Sequence, residues 1–150
     1  MSKFQYFHEN HGDAIVKKCC DTGCKLDLQG LDEVLVLKGE KLFPKQTICD
    51  CIIFIGENSI IAGVVELKSK TVDVSKVKDQ LSSGLRFVKQ ALERSKTKHC
   101  LKRYFVVVLA KKWRIHERKS LIARKIPFDG KKLMIIPKNC GDKLSDILKS

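Results

Sequence analysis

Nowhere does the chain contain the ~20 consecutive apolar residues that a membrane-spanning helix requires; the best candidate, residues 51–65, is broken by Gly56, Glu57 and Asn58. Residues 1–10 lack the apolar core of a signal peptide, so the expectation is a cytoplasmic protein with no membrane partner. Proline is scarce, at 3 residues, and no segment is dominated by Pro, Gly or Ser. That excludes a flexible linker and argues against intrinsic disorder. There is no Gly-rich phosphate loop and no convincing Ser-His-Asp or Cys-His arrangement, which sets aside the P-loop and triad hydrolases.

Acidic residues are in short supply, 17 against 30 Lys and Arg, and the shortage is local. Residues 1–70 hold 10 acidic and 9 basic residues, whereas residues 71–150 hold 7 and 21. A positive field confined to one half of the chain attracts polyanions, and each phosphate neutralised releases counterions. Nucleic acid is therefore the expected partner, ahead of a merely soluble basic surface. The 7 cysteines are odd in number and scattered, and they are read as reduced thiols. Cys19, Cys20, Cys24, Cys49 and Cys51 form no clean CxxC pair for zinc, and His8 with His11 gives two ligands at most.

With 150 residues, 43% of them hydrophobic, the chain can bury one sizeable core, and a single domain over residues 1–150 is expected. Loose periodicity predicts a helix over residues 4–20, weakened by Gly12, then a loop through Asp21-Thr22-Gly23. Apolar runs predict strands over 33–38, 48–55 and 60–67, the last two joined by a turn at 56–59. Asp73 is an N-cap for a helix in which Val74, Val77, Leu81, Leu85, Val88 and Leu92 recur at helical spacing. A strand over 104–110, a basic segment over 111–125, a hairpin turning at Asp129-Gly130 with its second strand at 133–136, and a helix over 142–148 complete the reading. The fold class is α/β: a mixed central sheet flanked by helices.

Asp50 stands inside an apolar strand, and burying an unpaired carboxylate costs several kcal/mol unless something compensates. Glu66 and Lys68, two apart on a strand, project from one face, while Leu67 points the other way. Pairing across the 56–59 turn would bring Asp50 beside Glu66. Two carboxylates and a backbone carbonyl, that of Leu67, would hold Mg²⁺ or Mn²⁺, with Lys68 orienting water or stabilising developing charge. The bland alternative is a salt-bridged strand end, which accounts for Glu66 and Lys68 but not for Asp50. Glu-x-Lys alone is weak, as a second copy, Glu117-Arg118-Lys119, shows.

The whole arrangement, an acid on one apolar strand, a turn, a second apolar strand ending in Glu-x-Lys and then an amphipathic helix, resembles the PD-(D/E)xK nuclease superfamily. Restriction enzymes, Holliday-junction resolvases and phage exonucleases belong to it. The resemblance spans residues 34–110 and implies a restriction-endonuclease-like αβββαβ core. By position, Asp50 corresponds to the first metal-binding acid, Glu66 to the second and Lys68 to the catalytic lysine. Cys49 stands where the motif has proline. A first-helix glutamate found in some members has Glu9 as its candidate here, with Glu33 behind it. Gln80 matches a glutamine of some exonuclease branches, but Gly84 stands where those carry tyrosine.

The expectation is thus a metal-dependent nuclease acting on DNA rather than RNA, an endonuclease that by resemblance forms a homodimer. Lys70, Lys76, Lys111, Lys112, Trp113 and Arg114 are the candidates for gripping the nucleic acid, Trp113 either stacking on a base or anchoring its segment to the core. The alternatives are a nucleic-acid-binding module without catalysis and a protein-assembly subunit on the same fold.

Overall fold

Val77, Leu81, Leu85, Val88 and Leu92 are fully buried along one side of the longest helix, which the computed structural model, describing residues 4–56, 59–68 and 72–149, places over Val74–Arg94. In chain order the elements are α1 (Gln5–His11), β1 (Ile15–Val16), β2 (Cys19–Asp21), β3 (Cys24–Leu26), β4 (Val34–Lys38), α2 (Gly39–Leu42), β5 (Cys51–Gly56) and β6 (Ile60–Lys68). Then follow α3 (Val74–Arg94), β7 (Leu101–Ala110), α4 (Ile115–Ala123), β8 (Ile126–Phe128), β9 (Lys131–Leu133), β10 (Ile136–Asn139) and α5 (Leu144–Lys149).

Six strands form one mixed sheet in the order β1-β4-β5-β6-β7-β10. The pairs from β1 through β6 are antiparallel; β6 with β7, and β7 with β10, are parallel. Every residue of β5 is buried, as expected for a strand covered on both faces. Ile52, Phe54, Ala62, Val64, Val106 and Val108 face α1 and α3, with Phe7 packed at a tilt against Phe54, 4.4 Å between ring centroids. Ile53, Val65, Leu67, Phe105, Val107 and Leu109 face the β2–β3 hairpin and α5. The chain is thus a mixed α/β protein with helices flanking a central sheet. Among the described residues no helix is long and apolar enough to cross a membrane.

Asp73 caps α3 as its position predicts, accepting a hydrogen bond from the Lys76 N–H at 3.2 Å. Gly84 lets this helix lie close to the sheet: a Cβ there would stand 2.5 Å from Cys49 Sγ and 2.8 Å from Val64 Cγ1. Asp129 and Gly130 both take positive φ, 50° and 77°, which closes the two-residue β8–β9 turn. Asp129 is held by Lys98 at 2.6 Å and by the Tyr104 hydroxyl at 3.2 Å.

Four features differ from the sequence reading. The first helix ends at His11, because the residues beyond it find partners: Ile15 and Val16 pair with β4, and Cys19–Asp21 pairs with Cys24–Leu26 across the Thr22-Gly23 turn. The apolar run at 133–136 is divided. Leu133 ends β9, whereas Ile136 starts a strand that leaves the hairpin and joins β7 in parallel. The basic segment after Ala110 contains α4. The expectation of reduced thiols is corrected for four cysteines, since disulfides join Cys19 to Cys51 and Cys24 to Cys140 and pin the β2–β3 hairpin beneath the sheet. Cys20, Cys49 and Cys100 are free. Glu57 and Asn58, in the expected 56–59 turn, lie outside the described residues.

Candidate active site

The β5–β6 register places Cys51 against Val65, so one position further out Asp50 faces Glu66 on the side of the sheet that carries α3. β5 begins at Cys51, and Asp50 therefore sits at the mouth of the strand, partly exposed, rather than within it. The two acids interlock through backbone. The Asp50 N–H donates to Glu66 Oε1 at 3.0 Å, and the Leu67 N–H donates to Asp50 Oδ2 at 2.7 Å. Lys68 Nζ stands 2.9 Å from Glu66 Oε2. The cluster lies at the carboxyl ends of β6 and β7, where the Lys111 N–H donates to the Lys68 carbonyl at 3.3 Å. Open α/β sheets usually present their ligand sites along this edge.

Gly39 secures the other side of Asp50 by donating its N–H to the Asp50 carbonyl at 2.9 Å. A side chain at position 39 would collide with the carbonyl oxygen of Cys49, so only glycine permits this approach. The Cys49 thiol is buried, and burial followed by the charges of Glu66 and Asp50 pushes its pKa well up. It is therefore a neutral packing group.

Glu66 is one of only two buried charged residues among those described. Burial raises its pKa to about 8, helped by the charge of Asp50 and the hydrogen bond with it, while Lys68 opposes the shift. A carboxyl whose pKa is raised by burial and by the neighbouring charge of Asp50 is an electrostatic arrangement that a divalent cation would relieve. The donors are hard oxygens, suited to Mg²⁺ or Mn²⁺, and Mg²⁺ ordinarily takes one or two carboxylates and completes its shell with water and substrate oxygens. Among the described residues no three His, Cys, Asp or Glu side chains converge on one point. Asp50 and Glu66, with the main chain at Leu67, are thus the groups that could hold such an ion.

Gln80 lies on α3 one turn before Gly84, on the side of the helix that meets Cys49 and Val64, and its Oε1 is buried without a hydrogen-bond partner among the described residues. A tyrosine at position 84 has no room, which gives the departure at Gly84 a steric reason. Lys76, Lys112 and Arg114 are exposed, and Lys111 extends against the β2–β3 turn at Gly23. Trp113 is partly buried and its indole N–H donates to the Lys138 carbonyl at 2.8 Å, which ties this segment to β10. Lys70 lies outside the described residues.

Glu9 and Glu33 do not join the cluster. Glu9 is exposed and accepts from the Gln5 amide at 2.9 Å. Glu33 precedes β4 at the end that pairs with Ile55, opposite to the end that pairs with Cys51. The second Glu-x-Lys serves the fold instead, because Glu117 is buried in α4 and accepts the N–H groups of Val72 at 3.0 Å and Arg114 at 3.3 Å. Its three-residue spacing from Arg114, a reach-back to the residue before the helix, was the available signal for this role. For Gly39 the signal was weaker, since a glycine closing a strand reads as punctuation. No protein-family model, no curated protein and no solved structure matches this chain.

Proposed function

We propose that the chain is a Mg²⁺- or Mn²⁺-dependent nuclease that hydrolyses DNA phosphodiester bonds internally, on a restriction-endonuclease-like αβββαβ core. The observation that carries this reading is the interlocked pair Asp50 and Glu66 with Lys68 beside it on one face. The order α1, β4, β5, β6, α3, β7 supports it, as does the excess of basic residues after position 70.

When bound, the cation supplies Lewis-acid polarisation of the phosphate and a lowered pKa for its water. Asp50 and Glu66 hold it, and the backbone bonds from Asp50 and Leu67 keep both carboxylates from turning away. Lys68, partly exposed, favours the ionised form of Glu66 and offers N–H groups to a non-bridging oxygen of the attacked phosphate. Lys111, Lys112 and Arg114 grip neighbouring phosphates. Cutting both strands of a duplex needs two such sites, which a homodimer provides.

Supercoiled plasmid incubated with Mg²⁺ or Mn²⁺ is nicked, and Asp50→Asn, Glu66→Gln and Lys68→Ala each lower the rate on the order of 10²–10⁴-fold with unchanged circular dichroism. Cleavage that survives in all three variants overturns the reading. The contacts the cluster already makes within itself, two backbone N–H groups and the Lys68 amine on the two carboxylates, favour one second reading, a nucleic-acid-binding module without chemistry. Salt-sensitive DNA binding with no cleavage in any divalent metal would identify it.

A further inference from the structure

Beside the carboxylate cluster, α3 and the chain between α2 and β5 enclose a cleft of about 220 Å³. Its apolar wall is Phe43, Ile48 and Phe87; Ser83, Arg86 and Gln90 supply the polar groups. The volume is below the 300–1,000 Å³ typical of pockets for drug-sized ligands, so the occupant is of the size of a single planar ring system. Phe43 is only partly buried and stands nearly perpendicular to Phe87, at 79° with centroids 5.9 Å apart. Arg86 is exposed, steadied by a hydrogen bond to Ser83 Oγ at 3.0 Å, and makes no ion pair among the described residues. An aromatic ring, amide and hydroxyl groups and a guanidinium with no ion pair among the described residues together match a nucleobase with its phosphate.

The cleft adjoins the acids. Ile48 is two residues before Asp50, at most about 7 Å along the chain, and Ser83 precedes the Gly84 that abuts Cys49. The near edge of the cleft, at Ile48 and Ser83, is thus the part next to the acids, and Arg86, Phe87 and Gln90 lie further along α3.

We infer that this cleft is a nucleobase subsite, taking the base next to the phosphate presented to Asp50 and Glu66; the placement of that phosphate rests on the nuclease reading, the affinity for a base does not. The test is fluorescence anisotropy in EDTA with a labelled single-stranded DNA 8-mer and with an abasic 8-mer of the same backbone. The intact strand binds about 10-fold more tightly, as expected for one stacked base. Phe43→Leu, which keeps the apolar packing, removes most of that difference and leaves abasic binding unchanged. Arg86→Ala weakens both strands and reduces the salt dependence. Equal affinity for the two strands, a base preference that persists in Phe43→Leu, or unchanged binding in Arg86→Ala overturns the inference. Cleavage without base preference would leave the nuclease reading intact and remove the subsite, whereas base preference without cleavage would do the reverse.

Discussion

Glu66 shows how one residue can be both legible and surprising. Its position two before Lys68 identifies the face it shares with the lysine, but not that its carboxyl would hold a proton at neutral pH. Burial is the main cause, and Asp50 adds to it. In the unfolded chain Glu66 loses its proton near pH 4.5, whereas in the folded protein it keeps it up to about 8. The folded state therefore binds the extra proton between those values. The stability this contributes is full below pH 4.5 and is lost as pH rises through about 8. In EDTA the melting temperature should fall between about pH 4.5 and about pH 8, and Glu66→Gln should flatten the slope. The same slope in the variant would show that some other group is titrating. Asp50 needed no such environment to be noticed, because a carboxylate in an apolar run is conspicuous in the sequence itself.

At the level of elements, α3 and the β5–β6 pair follow from local pattern. The 3-4 spacing of Val77, Leu81, Leu85, Val88 and Leu92 identifies the buried stripe, and a turn between two apolar runs sets Asp50 against Glu66. The role of α4 could not be read this way. Its only buried residues are Glu117 and Leu121, so no apolar stripe marks it, and Glu117 is buried because the chain just before α3 offers it the Val72 N–H. Removing that acceptor should cost about 1–3 kcal/mol, the penalty for a buried donor left unpaired. Glu117→Ala should lower the midpoint of denaturant unfolding accordingly and speed hydrogen exchange at Val72 and the first turn of α3 more than in β5. Glu117→Gln, which keeps an acceptor oxygen, should recover most of the loss. Uniform acceleration of exchange would instead mean that α4 supports the whole fold.

Over the whole molecule, the two disulfides and the charge asymmetry set the behaviour. Cys19–Cys51 attaches the β2–β3 hairpin to the residue after Asp50, and Cys24–Cys140 attaches it to the segment after β10, 116 positions away. The Gly141 N–H to Lys25 carbonyl bond, at 2.7 Å, lies alongside. Closing chain loops of this length stabilises by on the order of 2–4 kcal/mol for each bridge. A reducing agent should therefore lower the melting temperature of the wild type, and Cys24→Ser should lower it without reductant. If reductant changes neither the melting temperature nor the count of alkylated thiols, the four cysteines are unbridged. An odd number of scattered cysteines gave no hint of these pairs, because β2 and β3 meet β5 and the C-terminal segment only after the sheet has closed over them.

The amino-acid order by itself determined the central strands, the long helix, the Asp129-Gly130 turn and the meeting of Asp50 with Glu66, because each depends on neighbours within about 20 residues along the chain and on periods of 2 or 3.6. Tertiary structure alone decided that β10 runs parallel beside β7, that four thiols pair, that Glu117 is buried and that Gly39 and Gly84 must lack side chains. Those outcomes arise from contacts between distant segments, whose geometry depends on how the faces of the sheet are filled and not on any local preference of the residues involved.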